Sequence, residues 1–343
     1  MNSSWQEFLG ASGARFANDR VTDFGDAVAE RLAARDATIV APLPHLALLE
    51  VSGPEAASFL HNQLTSDVKH LASDVAQHSA WCSAKGRMLA SFLLFRVGPA
   101  YHLQLSADLL PQIQRRLQMF VLRSQVRISD QSGTHELMGL AGPQAATALQ
   151  ALDLPLPAAP LRAAAFAAGV VIRLEDSRFE IVADSDAAPA LWRQLASSAR
   201  PVGSPVWQWL DIQAGIPLIS EPTAEQFVPQ MARFDQLGAV NFHKGCYPGQ
   251  EIVARTQYLG KVKRHLYRAH ADSPLVAGQT IHSPANPQQP CGMIVNAAPA
   301  PSGGYAALAV VQEQFAAAGN LELDAPGGPR VDVEPLSGPV EAA

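Results

Sequence analysis

The sequence predicts an α+β chain made of two related α+β subdomains and a small C-terminal β-barrel. Three observations carry this expectation. Strand and helix patterns are mixed with hairpins rather than alternating as βαβ units, which argues against a doubly wound parallel sheet. One strand–turn–helix pattern occurs twice. The tail breaks into short strand candidates separated by glycines, the pattern of a small barrel or sandwich. The 343 residues exceed one ordinary core, and at 48% hydrophobic and 16% charged they can bury several.

Residues 1–40 read as an exposed helical lead-in punctuated by Gly10, Gly13 and Gly25. The first subdomain, 41–130, opens with the apolar run Leu46, Leu48, Leu49 and Val51. Ser52-Gly53-Pro54-Glu55 then resembles a helix start, with Ser52 as cap, Pro54 in the first turn and Glu55 completing a capping box. Ala56, Phe59, Leu60 and Leu64 share one face of that helix. Trp81 to Val97 reads as a hairpin turning at Lys85-Gly86, and Tyr101, Leu103 and Leu105 alternate as a strand. Leu109, Ile113, Leu117 and Phe120 mark a second helix face, before a strand at Val126 and Ile128.

The second subdomain, 131–265, repeats the opening unit. Leu140-Ala141-Gly142-Pro143-Gln144-Ala145-Ala146 with Leu149 matches Val51-Ser52-Gly53-Pro54-Glu55-Ala56-Ala57 with Leu60. The offset is too long for a solenoid. Residues 151–169, rich in Ala and Pro, read as a surface excursion. In the tail, 266–343, strand candidates lie at Thr280-Ile281, Met293 to Val295, Ala306 to Val311, Leu321 to Leu323 and Val331 to Val333.

Composition excludes several functions. A net charge of −6 disfavours direct nucleic-acid binding through overall charge. No apolar run reaches the ~18–20 residues of a membrane span, and Met1 to Gly10 lacks the basic and apolar regions of a secretory leader. A cytoplasmic protein is expected. Cys82, Cys246 and Cys291 form neither a disulfide framework nor a four-thiolate metal site, and no metal ligand set is expected. His61, His70 and His78 do not fall at metal-binding spacing and read as surface or satisfied histidines.

Asn241-Phe242-His243-Lys244-Gly245-Cys246-Tyr247-Pro248-Gly249-Gln250-Glu251 concentrates unusual chemistry. Its glycines and proline suit a turn whose backbone approaches a ligand closely. Gln250 to Arg255 reads as a short helix, and the helix start together with Lys244 favours thiolate at Cys246. Glu251 opposes this or pairs with Lys244 or Arg255. Taken alone, a cysteine in such a stretch is more often a buried small hydrophobe than a nucleophile, and a protease-like use would need a base, with His243 near in sequence and no third member evident. Arg255, Lys261, Lys263, Arg264 and Arg268 form a basic stretch with no acid between Glu251 and Asp272. It reads as a solvated face, with Lys261, Lys263 and Arg264 exposed, or as a receiver of polyanions.

Lys244-Gly245-Cys246-Tyr247-Pro248-Gly249-Gln250-Glu251 followed by Val253-Ala254-Arg255-Thr256 resembles the signature of the YgfZ family. That family lies within the folate-binding superfamily of the glycine-cleavage T-protein, an aminomethyltransferase. The resemblance extends to Cys82 to Gly86, Phe120 to Ser124, Leu210 to Pro217, Phe227 to Gln230 and Tyr258 to Arg264, so it spans about Leu46 to Arg268. It implies the two subdomains and barrel arranged around a central folate pocket. It also implies tetrahydrofolate or a derivative as ligand, and a role in assembly or repair of iron–sulfur enzymes, including a tRNA methylthiolation enzyme. The partners would then be such enzymes or their assembly factors. On this resemblance Cys246 is the working residue, and Trp207, Lys244, Gln250, Glu251 and Arg255 contact the folate, with Trp207 stacking on the pterin. Two departures stand out: Arg233 sits where relatives often have Asn, and Ser83 replaces a frequent Asp. Arg233 is expected to alter folate orientation or pair with the glutamate tail. No carboxylate matches the one that aminomethyltransferases use beside the folate nitrogen, which ranks folate-dependent aminomethyl transfer as the alternative reading.

Overall fold

The computed structural model describes residues 2–336. The chain opens with α1 (Ser3–Ala11), a hairpin of β1 (Arg15–Ala17) and β2 (Arg20–Asp23), α2 (Ala27–Asp36) and β3 (Ile39–Pro42). β4 (Leu46–Ser52), α3 (Ala56–Gln63), β5 (Gln77–Cys82), β6 (Met88–Val97), β7 (Ala100–Ser106), α4 (Leu110–Val121) and β8 (Arg127–Asp130) follow. Next come β9 (His135–Ala141), α5 (Ala145–Ala151), β10 (Arg162–Phe166), β11 (Gly169–Glu175), β12 (Arg178–Asp184), α6 (Ala188–Ala196), β13 (Arg200–Pro201) and α7 (Ser204–Ala214). α8 (Gln250–Tyr258), β14 (Arg264–Ala271), β15 (Thr280–His282), β16 (Gly292–Pro299), β17 (Tyr305–Gln312), α9 (Glu313–Ala318), β18 (Leu321–Leu323) and β19 (Arg330–Pro335) complete it.

The two copies of the repeated unit seed two sheets, ordered β5-β6-β7-β4-β8 and β10-β11-β12-β9-β3-β13. The first sheet is built wholly from 46–130, whereas the second takes β3 from ahead of the first copy. β8, which leads into the second copy, pairs with β4 of the first sheet, with Ser52 opposite Arg127. β3, which leads into the first copy, pairs with β9 of the second, with Ile39 opposite Ala141. The opening segment is therefore not an exposed lead-in. Trp5, Leu9 and Val21 are buried in the core around α5 and α6, because α1 and β2 carry apolar faces with no other cover.

The period of two along each strand sorts residues into layers. Ala47, Leu49 and Val51 of β4 face α3 and α4, while Leu46 and Leu48 face the second sheet. In β9, Met138 and Leu140 pack toward the helices, and Leu137 and Ala141 into the layer between the sheets. The sheets thus pack face to face, and Leu48, Leu93 and Phe95 meet Ile39, Val170, Ile172 and Val182 there. The Ala/Pro-rich stretch is partly a strand: β10 pairs along β11 from Arg162 opposite Arg173 to Phe166 opposite Gly169. The tail closes into a six-stranded barrel, β14-β17-β16-β15-β18-β19. Residues 337–343 of that expected unit lie outside the described residues.

The turn that starts each repeated helix differs from the capping box expected. Ser52 ends β4, and neither Glu55 nor Gln144 makes a side-chain cap. Instead the Glu55 carboxylate accepts from the Gln125 amide at 2.5 Å, and the Gln144 amide donates to Thr38 Oγ1 at 2.8 Å. Each turn grips the backbone just ahead of the strand paired with its own, β8 for β4 and β3 for β9. Gly53 and Gly142 hold φ of +113° and +116°, and a Cβ on either would stand 2.3 Å from a carbonyl oxygen, of Gln125 or of Ala37. Gly53→Ala and Gly142→Ala should each cost at least about 1–3 kcal/mol in urea denaturation. A change within about 0.5 kcal/mol would mean that β8 and β3 are loosely held.

Candidate functional site: a central cavity and a clamped thiol loop

Where the two sheets, α7 and the barrel meet, the interior opens into two neighbouring chambers that share Asp211 and Leu218 in their walls. The inner chamber, about 70 Å³, is bounded by Ser91, Gln104, Arg178, Glu180, Trp207 and Asp211. The outer, about 300 Å³, reaches His45 and Ser106 on one side and Ala277, Asn296 and Ala297 of the barrel unit on the other. Strand alternation puts charge into this space. Phe179 and Ile181 of β12 face the helices, so Arg178, Glu180 and Val182 face the layer between sheets.

Trp207 is buried and lies flat on β9, where only glycine fits: a Cβ on Gly139 would stand 2.3 Å from its ring. The Arg178 guanidinium sits 5.3 Å from the indole centroid. Arg178 Nη1 is 3.0 Å from Asp211 Oδ1 and its Nε 3.2 Å from Glu175 Oε2. Burial pushes Glu180 up to about 8 and Asp211 up to about 6, with Arg178 opposing both shifts. Burial, assisted by the charge of Arg20, pushes His45 down to about 3. Glu180 Oε1, Gln104 Oε1 and both ring nitrogens of His45 are buried without hydrogen-bond partners among the described residues. Orphaned acceptors beside an indole suit a flat heterocycle that presents N–H donors.

The motif loop is held elsewhere, at the end of α3. Lys244 Nζ donates to the carbonyls of His61, Leu64 (2.5 Å) and Ser66 (3.0 Å). The His61 carbonyl is one that the helix leaves unsatisfied at its C-terminus, and those of Leu64 and Ser66 belong to the cap and the turn that follow it. The same ammonium lies 5.2 Å from the centroid of the Tyr247 ring, which is buried. Burial pulls Lys244 down to about 8. The lysine is thus engaged by carbonyls and not by Glu251, Arg255 or the thiol. Gly249, with φ of +79°, packs on the β5–β6 turn, where a Cβ would stand 2.3 Å from the Ser83 carbonyl oxygen. Gln230 Nε2 donates to the Val253 carbonyl at 2.8 Å and steadies α8. Four stretches singled out in the sequence, around Ser83, Gln230, Lys244 and Val253, therefore form one assembly. Cys246 is exposed at its tip, whereas Cys82 and Cys291 are buried.

The structure brings Trp207 to the cavity, but none of Lys244, Gln250, Glu251 or Arg255 lines either chamber. Arg233 is absent from their walls as well. It is buried in the left-handed region at φ +65°, with Nε donating to Gln236 Oε1 at 2.7 Å. Asn adopts that conformation more readily than Arg, which gives its use in relatives a backbone rationale. Lys261 and Lys263 are exposed, while Arg264 is half-buried where β14 begins. Arg178, Glu180 and Gln104 escaped the sequence reading. The signal was there: charged residues two apart in an otherwise apolar strand, Arg178-Phe179-Glu180-Ile181-Val182.

The comparisons with known proteins agree with this architecture. A model of the GCVT N-terminal domain matches residues 4–241, and the chain belongs to that family. Within it the chain is a YgfZ-like member. It is 36% identical over 224 residues to the tRNA-modifying protein YgfZ of Edwardsiella ictaluri (strain 93-146), covering 64% of this chain and 67% of that one. To the protein of the same name from Yersinia pseudotuberculosis serotype O:1b (strain IP 31758) it is 35% identical over 223 residues, with the same coverage. The glycine cleavage system aminomethyltransferase T of Bartonella henselae shares the fold, with a TM-score of 0.81 at 19% identity over 97% of this chain and 96% of that one. No helix among the described residues is long and apolar enough to cross a membrane.

Two outcomes test this geometry. Lys244→Met should leave several carbonyls unpaired and cost about 2 kcal/mol or more in urea denaturation, and an unchanged midpoint would mean a mobile lysine. Burial raises Glu180 in the folded chain above the ordinary glutamate value of 4.5, so folding binds an extra proton between about pH 4.5 and 8. Its stabilising share is complete below that window and is lost as pH rises through about 8. Glu180→Gln should therefore lose less stability than the parent between pH 5.5 and 8.5, and parallel losses would place the proton elsewhere.

Proposed function

We propose that this chain binds a reduced folate in the central cavity. We further propose that it serves, through Cys246, as an accessory factor in assembly or repair of iron–sulfur enzymes, tRNA-modifying ones among them. The single observation behind the functional part is the display of Cys246. The other two thiols are buried, and burial pushes Cys82 up to about 12. Cys246 alone is held in solvent, on a loop fixed by an ammonium clamp and two glycine contacts. Such a thiol is suited to transient covalent contact with a partner. Relatives named tRNA-modifying protein support the choice of client.

The folate part rests on Trp207, the orphaned acceptors and the chamber sizes. A pterin would bring its N–H donors to Glu180 and Gln104 and its ring edge toward the indole, which Gly139 and Arg178 hold in place. The outer chamber's 300 Å³ falls at the lower end of small-molecule sites. The inner chamber holds about two waters, which the polar edge of the ring would displace. Aminomethyl transfer is the second reading, favoured by the shared fold with an aminomethyltransferase.

Cys246→Ser and Cys246→Ala should abolish support of an iron–sulfur client in cells while leaving thermal stability and tetrahydrofolate binding intact. Full support by both variants would remove the thiol from the function. By calorimetry, Trp207→Phe should weaken tetrahydrofolate binding about three- to tenfold, the worth of an aromatic contact. An unchanged Kd would take the indole off the folate's path. Rapid product formation from an aminomethyl donor and tetrahydrofolate would promote the transferase reading over the first.

A further inference from the structure

We propose that the surface around the thiol loop is a docking face for RNA, held by lysine–phosphate contacts and by a base stacked on Tyr258. The observation behind it is where the lysines lie. The chain has five, Lys69, Lys85, Lys244, Lys261 and Lys263, and the rest of its 25 basic residues are arginine. The fold gathers all five, from four separate stretches of sequence, about the assembly that carries Cys246. Lys244 is the clamp, donating to the carbonyls of Leu64 at 2.5 Å and Ser66 at 3.0 Å. Lys69 comes three residues after Ser66, and its amide donates to His61 Nδ1 at 3.5 Å. Lys85 stands in the β5–β6 turn beside Gly86, where a Cβ on the glycine would lie 2.9 Å from the Ile252 side chain and 3.3 Å from the Gly249 carbonyl oxygen. Lys261 and Lys263 follow the end of α8, whose start is Gly249-Gln250. A helix of that length spans about 13 Å, so one RNA element can meet both ends.

Lys69, Lys85, Lys261 and Lys263 are exposed, as is Arg255 on α8, and none of these five side chains has a hydrogen bond or ion pair among the described residues. Elsewhere on the surface Arg162 is paired with Asp74, Arg268 with Glu334 and Arg330 with Asp332. Residues 241–265 contain one acid, Glu251, against Lys244, Arg255, Lys261, Lys263 and Arg264. Asp67, close to Lys69 in the chain, is taken up by two imidazoles, His61 Nδ1 at 3.2 Å and His70 Nδ1 at 2.8 Å. A chain of net charge −6 thus presents a cationic face here. The acids beyond it are screened within a Debye length of about 8 Å at physiological salt, so the local set decides contact.

Two features favour RNA over an acidic protein. Protein interfaces are depleted in lysine and enriched in arginine, whereas this face collects every lysine the chain has. A compact ammonium meets phosphate as a point charge, without the bidentate fit that arginine makes with carboxylates. The second feature is Tyr258, which keeps 64% of its surface exposed while packed T-shaped on Phe242 at 6.0 Å. It lies three residues beyond Arg255 and three before Lys261. An exposed ring among cations is the platform on which unpaired bases of RNA loops stack.

The experiment is fluorescence anisotropy of a labelled RNA stem-loop titrated with the full chain at about 50 and 200 mM salt. Contacts from four lysines and Arg255 give a fall in affinity of about a hundredfold between the two. Replacing Lys69, Lys85, Lys261 and Lys263 together by Gln, all at exposed positions, should leave the melting temperature unchanged and reduce that fall to about threefold. Tyr258→Ala should weaken binding about tenfold at either salt, the worth of one stacked base, with the salt dependence kept. Arg35→Gln, an exposed cation on α2, should change neither quantity. A parent that leaves the RNA unbound at the lower salt, or a fourfold variant with parental affinity and salt dependence, overturns the proposal. Tyr258→Ala with parental affinity removes the stacked base, and poly-glutamate bound more tightly than the RNA assigns the face to an acidic protein; either overturns the choice of RNA. The measurement needs no client, no folate and no thiol. Its failure leaves the reading of Cys246 standing, and failure of that reading in cells leaves this one untouched.

Discussion

Strand β3, from ahead of the first sheet, hydrogen-bonds to β9 inside the second, so the second sheet is not complete without chain that precedes the first. A strand missing from a sheet exposes a row of unpaired amides and carbonyls, and β3 fills that row between β9 and β13. The chain thus enters the second sheet, builds the first from β4 to β8, and returns to the second. This path presses the two sheets face to face, with Leu48, Phe95, Ile172 and Val182 in the layer between them. It also puts Gly53 and Gly142 against the backbone ahead of β8 and β3, where a Cβ does not fit. Because the layer is dry and close-packed over most of its area, the few polar side chains in it define the cavity.

A second constraint acts on the thiol loop. An ammonium taken from water is costly, and the lowering of Lys244 to about 8 records that cost. Three carbonyls at a helix end offset it, at the place where a helix carries partial negative charge. The lysine therefore sets the position of Gly245 and Cys246 rather than meeting a ligand. Tyr247 below it and Gly249 against Ser83 remove the remaining freedom, and the thiol is left exposed on a rigid base. This division of labour explains why the motif is so compact: neighbouring residues face opposite ways.

The architecture was largely legible in the sequence, because apolar period, repeated turns and glycine punctuation are local signals. The repeat came from these alone, whereas they left the tail as a barrel or a sandwich and the resemblance chose the barrel that the structure shows. The passage of β3 into the second sheet was not legible. Ile39 to Pro42 reads as an ordinary apolar run, and nothing local says which sheet it joins. The first 40 residues were misread for the same reason, since the partners of Trp5 and Leu9 lie far along the chain. Cys246 was found through its motif, but Lys244 was read as a ligand contact. A lysine's long stem hides which way its ammonium turns, and here the answer depended on carbonyls some 180 positions away in sequence. His61, read as a surface or satisfied histidine, is buried with Nδ1 3.2 Å from Asp67 Oδ1, a pairing that spacing alone does not announce.

The cavity and the thiol share no lining residue, yet one strand touches both. β6 is buried from Met88 to Phe95, and Ser91 and Phe92 form part of the inner chamber. At its start, the turn from Ser83 to Gly86 clasps Gly249 and Ile252 beneath the thiol loop. Backbone bonds fix β6 to the segment between α7 and α8: Met88 donates to Phe227, Glu225 donates to Met88 at 2.7 Å, and Ile219 donates to Ser91 Oγ at 2.9 Å. One buried strand and the turn that precedes it thus contribute both to the wall of the inner chamber and to the base of the thiol loop.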